Sequence, residues 1–177
     1  MKIKSKKKKP EQVAKKRLSF TGPLSIKKIL VPIDFSEHSK NALQYAISFA
    51  KQYNAELILV YVVEPTIYPA DFSFGQIAVP NIENDLRERG EAELKQLVQT
   101  QIGDALPART LVLTGKPFLE IIDTAGEENV DLIIIATHGH TGVEHILFGG
   151  TAEKVVRKAP CPVLVVRPVE LDLDDRP

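Results

Sequence analysis

Glu56-Leu57-Ile58-Leu59-Val60-Tyr61-Val62-Val63 carries no charge after its first residue and shows no alternation of apolar with polar residues. A strand with one wet face would alternate. A continuous apolar run fits a strand covered on both faces, the pattern of parallel sheets layered between helices. The rhythm repeats outward from this stretch. Upstream, Lys28-Ile29-Leu30-Val31-Pro32-Ile33-Asp34 is a shorter apolar run that ends in a polar turn. Ser36 is placed to cap a following helix, with Glu37 in its first turn, where the helix dipole favours an acid. Ala42, Tyr45, Ala46, Phe49, Ala50 and Tyr53 recur at helical spacing, and Asn54 ends that helix.

Downstream comes a long loop, about residues 64–80, with Tyr68, Phe72 and Phe74. Loops of that length are often functional. A second helix is expected over about 82–102, with Leu86, Leu94 and Leu97 on one face. Gly90 shares that face. It costs about 1 kcal/mol against alanine but permits close backbone approach. Residues 109–114 read as the third strand. Pro117 suits the first position of a third helix, which buries Phe118, Ile121, Ile122 and Ala125. Residues 131–136 form the fourth strand. A glycine-bearing loop, 137–149, leads to a helix over about 151–158 and a fifth strand over 162–167.

Strands that alternate with helices give the α/β class: an open five-stranded parallel sheet with helices on both faces, Rossmann-like, in the expected order 3-2-1-4-5. That order puts the topological switch point between strands one and four. Ligands in such sheets bind there, beside the carboxyl ends of the strands. Two segments are therefore nominated, 32–36 and 136–150.

Charge divides the chain into parts. The net charge is zero, yet the first 20 residues hold nine Lys/Arg and one acid, Glu11, for a net +8, and the remainder carries −8. Residues 1–25 read as a basic disordered arm, 26–168 as the folded domain and 169–177 as an acidic tail. With Cys161 as the sole cysteine, no intrachain disulfide can form, which fits a reducing compartment. No apolar run follows Lys9 as a secretory signal requires, and the longest apolar stretches are too short to span a bilayer. A cytoplasmic location without a transmembrane segment is expected.

The most informative stretch is Ala136-Thr137-His138-Gly139-His140-Thr141-Gly142, followed by Gly149-Gly150-Thr151-Ala152-Glu153. It resembles the nucleotide-binding signature of universal stress proteins, G-x-x-G, nine residues, then G-[ST]. The resemblance runs from Ile26 to Pro168. It includes the opening Ile29-Leu30-Val31-Pro32-Ile33-Asp34-Phe35-Ser36 and the closing Ala159-Pro160-Cys161-Pro162-Val163-Leu164-Val165-Val166. The spacing from Gly139 to Gly149 fits. Ala136 replaces the first glycine, and Gly150 replaces the final Ser/Thr, with Thr151 one place late. Gly150 is expected at the N-cap of the fourth helix, where a serine would form a capping box with Glu153. The missing hydroxyl weakens a phosphate contact by roughly 1.5–3 kcal/mol unless Thr151 compensates.

The resemblance implies a regulatory domain of the stress response that binds an adenine nucleotide, ATP with or without Mg²⁺. The site would comprise Pro32, Asp34 facing the ribose, Val62 at the adenine, and Ala136, Gly139, His140, Thr141, Gly142, Gly149, Gly150, Thr151 and Ala152 around the phosphates. Some relatives show slow hydrolysis or autophosphorylation. Here no catalytic acid/base pair is recognisable. The family also implies a homodimer through the last strand, Val163, Leu164, Val165 and Val166. The alternative is a nucleotide-free dimeric scaffold of the stress response; Ala136 and Gly150 favour it, whereas Gly139 and Gly149 favour binding.

Other readings of the same residues are weaker. His138, His140 and His145 form H-x-H-x4-H, which lacks a recognisable completing zinc ligand. Asp34 also suits a plain turn residue. Cys161 has neither a visible base nor an electropositive setting. The Lys6–Lys9 run could bind nucleic acid or anionic lipid, but it lacks interleaved aromatic residues, and a solvated arm explains it equally well.

Overall fold

The structure, a computed structural model, describes residues 25–65, 82–137 and 149–167. The arm, apart from Ser25, and the whole tail, assigned from the sequence, lie outside these residues. The elements are β1 (Lys28–Pro32), α1 (Glu37–Tyr53), β2 (Glu56–Val63), α2 (Ile82–Leu97), β3 (Ala108–Thr114), α3 (Pro117–Glu127), β4 (Leu132–Ala136), α4 (Gly150–Lys158) and β5 (Val163–Val166). All strand pairings are parallel, and the order is β3-β2-β1-β4-β5, as the sequence predicts.

Alternation along each strand feeds two cores. Ile29, Val31, Leu57, Leu59 and Ile134 pack beneath Ala42, Leu43 and Ala46 of α1 and Leu94 and Leu97 of α2. Leu30, Ile58, Val60, Ile133 and Ile135 point the other way, against Ile121 and Ala125 of α3 and Ala152 and Val155 of α4. Both faces of the central strands are thus dry, which is why β2 reads as an unbroken apolar run. Among the described residues no helix is long and apolar enough to cross a membrane.

The helix ends follow local chemistry. Ser36 caps α1, its hydroxyl accepting from the Ser39 amide at 3.2 Å, and Asn54 closes the helix in the left-handed region at φ 53°. The second helix departs from expectation. It ends at Leu97 and continues as a wide π-type turn, Val98–Ile102, then a 3-10 turn, Gly103–Ala105. An α-helical continuation would turn Gln101 toward the core. The wider turn takes in one more residue, so Ile102 is buried and Gln101 is exposed. Gly103, at φ 58° and ψ −145°, stops the helix in a conformation that side chains disfavour.

At the amino edge of the sheet, charges tie the elements together. Arg109 of β3 donates to Glu56 of β2 at 2.9 Å and forks onto Glu128, after α3. Lys28 donates to the Glu128 carbonyl at 2.8 Å, and Asp131 accepts from the Lys27 and Lys28 amides. The Arg109 hydrogen bond is the chief cause that holds the Glu128 carboxyl below its ordinary range. These charges join strand ends and lie at the edge opposite the switch point.

Candidate functional site

The ladder between β1 and β4 is short, Ile29 beside Leu132 and Leu30 beside Ile133. Beyond it each strand follows its outer neighbour. β1 stays with β2 through Pro32 beside Val60, and the Ile33 amide donates to the Val60 carbonyl at 2.8 Å. β4 stays with β5 through Ala136 beside Val166, and the Thr137 amide donates to the Val166 carbonyl at 3.0 Å. Ladder alternation explains the parting. Lys27 and Ile33 bond toward β2, whereas Lys28 bonds toward β4, so Pro32 falls on the β4 side. Proline has no N–H to offer there.

A cleft of about 690 Å³ opens where the two strands separate. That size suits a small-molecule ligand. Pro32, Asp34, Val62, Ala136, Gly149, Gly150, Thr151 and Ala152, all nominated from the sequence, line it. Gly139, His140, Thr141 and Gly142 lie outside the described residues, as do His138 and His145. The chain leaves β4 at Thr137 and returns at Gly149, whose amide donates to the Thr137 carbonyl at 2.8 Å.

Asp34 is both a cleft residue and a turn residue. Its Oδ1 accepts from the Ser36 amide at 3.1 Å and from the Ser36 hydroxyl at 2.6 Å, closing an Asx-type turn into α1. Phe35 between them adopts φ 65°. The start of α4 needs a correction. The N-cap is Gly149, extended at φ −66° and ψ 152°, and Gly150 is already the first helical residue. The Glu153 amide bonds back to the Gly149 carbonyl at 3.1 Å. A serine at 150 would therefore not build a capping box with Glu153. The opening amides of α4 have no intrahelical partner and, with the dipole, form an anion-binding end. A Cβ at Gly150 would meet nothing within 4 Å.

The cleft is polarised. Asp34, Glu64 and Glu93 line its β1, β2 and α2 side, while the amino end of α4 lies on the other. An anionic group is favoured at the α4 end and repelled from the acidic one. Among the described residues no group of three His, Cys, Asp or Glu gathers to hold a metal ion. Sequence reading missed Tyr61, Glu93, Pro117 and Ile121 as lining residues, and it nominated the 32–36 segment without singling out Phe35. Only Pro117 and Ile121 carried a local signal, as helix start and helix core.

Cys161 is remote from this chemistry, at the edge of the core under α3 and α4. Burial, with Asp131 adding to it, pushes its thiol up to about 11. At neutral pH the thiolate fraction should be on the order of a hundredfold below that of an exposed thiol, and alkylation correspondingly slow. Iodoacetamide kinetics in buffer and in denaturant measure this; equal rates in both would contradict it.

A family model described as the universal stress protein family matches residues 25–167. The chain belongs to the universal stress protein family. The universal stress protein MJ0531 of Methanocaldococcus jannaschii is 38% identical over 80% of this chain and 82% of its own length. YxiE of Bacillus subtilis is 31% identical over 79% of this chain and 98% of its own. Among solved structures, the universal stress protein UspA from Lactobacillus plantarum superposes with a TM-score of 0.68 at 27% identity, covering 81% of this chain and 99% of that one. In this family member the parted strands, the Asp34 turn and the open α4 terminus meet at one cleft.

Proposed function

We propose that the cleft binds an adenine nucleotide, ATP, with its phosphates toward the amino end of α4 and its ribose and base toward Asp34 and Val62. The observation that carries this reading is the polarity of the cleft: helix amides with no intrahelical partner, beside Gly149, Gly150 and Ala152, at one end and carboxylates at the other. An Asp34 carboxylate suits a ribose hydroxyl, which donates to it, and disfavours a phosphate. Two proteins of the same fold were solved with adenine nucleotides, one with cAMP at 21% identity and one from Arabidopsis thaliana with AMP at 18%. At such identity they share the fold alone, so the proposal rests on the residues of this cleft. Gly139, His140, Thr141 and Gly142 would complete the phosphate side. Mg²⁺ would enter as the counter-ion of the phosphates, since among the described residues the cleft gathers no ligand cluster for it.

We also propose a homodimer through the free edge of β5, serving a regulatory role in the stress response. Isothermal titration with ATP and Mg²⁺ tests the first proposal, with a dissociation constant in the micromolar range or weaker expected. Mass spectrometry of the native protein for bound ATP, ADP or AMP is the companion measurement. No heat and no thermal shift at millimolar ATP would overturn nucleotide binding and favour the scaffold reading.

A further inference from the structure

Tyr61 stands on β2 with its ring directly against the backbone of α2. A Cβ built on Gly90 would overlap the ring, closer than any real contact at Cδ1 and 2.7 Å from Cε1. Gly90 is buried, and only a residue without a side chain lets the ring reach that position. The same ring meets Phe35, with centroids 4.8 Å apart and planes inclined by 49°. Phe35 in turn holds φ 65°, a left-handed conformation that a bulky aromatic rarely adopts without outside support. Its neighbours are Asp34 and Ser36, joined across it by the two Asp34 hydrogen bonds. A chain of contacts therefore runs from the α2 backbone through two rings to the carboxylate that lines the cleft.

We infer that Gly90 is a positioning residue for the binding site, acting through Tyr61 and Phe35 to hold the Asp34 turn. The consequence for nucleotide affinity rests on the function proposed above; the effect on the turn does not. Gly90 adds nothing to the ligand itself. It sets how deep the Tyr61 ring sits, and the ring sets whether Phe35 stays left-handed. If the ring is displaced, Phe35 is free to relax to a negative φ, and the flanking Asp34 carboxylate swings with it. A helix glycine would otherwise be improved by alanine, so the expected sign is inverted here.

Three variants of the full chain test this: Gly90→Ala, Tyr61→Leu, and both together. Gly90→Ala should lower the melting temperature, shift the Ser36 and Ser39 amide resonances of the nucleotide-free protein, and weaken ATP binding about tenfold, the scale of one misaligned hydrogen bond to a charged group. Tyr61→Leu should give the same amide shifts and a similar loss. In the double variant the new methyl fits the vacated space, so the melting temperature should recover while the affinity stays low. A purely structural glycine would instead recover affinity together with stability, which would overturn the inference. Unmoved Ser36 and Ser39 amides in Gly90→Ala would overturn it as well. If the wild type binds no ATP, the proposed function falls, and the amide shifts alone decide whether Gly90 positions the turn.

Discussion

Gly150→Asp is expected to weaken ATP binding by about a hundredfold or more while leaving the fold as stable as before or slightly more so. Gly150 is exposed and begins α4, and a Cβ there meets nothing within 4 Å, so the side chain is sterically free. An aspartate in the first turn interacts well with the helix dipole, a gain of about 0.3–1 kcal/mol. The same carboxylate occupies the anion-binding end of the cleft and faces any phosphate brought there. At about 4 Å and an effective dielectric constant near 20, two like charges repel by roughly 4 kcal/mol. Stability and binding thus move in opposite directions, which separates loss of the site from loss of the fold. Gly150→Asn keeps the size without the charge and should lose far less. Calorimetric titration beside a thermal melt reads both quantities. Binding of ATP by Gly150→Asp as tight as by wild type would place the phosphates elsewhere than the α4 terminus.

The cap of α4 also marks where sequence reading ran out. The strand order was legible because Leu57–Val63 carries no charge and does not alternate, and each crossover is long enough for one hand. The cap was misplaced by one residue because Gly149 and Gly150 are both glycine, and neither has a side chain to signal which accepts the first helical bond. The bend in the second helix was hidden for a related reason. Gln101 and Ile102 are adjacent, and which one faces inward depends on a single extra residue in the turn. At the cleft, Pro32 and Asp34 lie at the end of a legible strand, and both line the site. The aromatic wall was not legible, since Phe35 and Tyr61 meet only when β1 and β2 pair. Gly90 did carry a signal of close approach, but its partner is a ring from the sheet rather than another backbone.

Val165→Pro is expected to raise the dissociation constant of the proposed homodimer by about thirtyfold or more while the subunit stays folded. The reason lies in the alternation of β5. Its Pro162 and Val166 carbonyls bond inward to the Ile133 and Thr137 amides, so the backbones of Val163 and Val165 face the free edge. Among the described residues no strand pairs with that side of β5; an apolar edge of this kind invites a second strand, and a two-fold axis would satisfy both edges together. Proline at 165 removes an outward N–H and none of the bonds to β4, which an edge strand tolerates. Each dimer loses the bond twice, roughly 2 kcal/mol in all, before any clash of the two rings is counted. A charge at this position is a poorer probe, because the Val165 side chain packs against the core under α4 and a lysine would also disturb the fold. Leu164→Pro provides the contrast: its backbone faces β4, so it should break the ladder and lower the melting temperature sharply. Sedimentation velocity at tens of micromolar follows the assembly, and circular dichroism follows the fold. A wild-type particle of 19.6 kDa, or a Val165→Pro dimer as tight as wild type, would refute pairing through this edge.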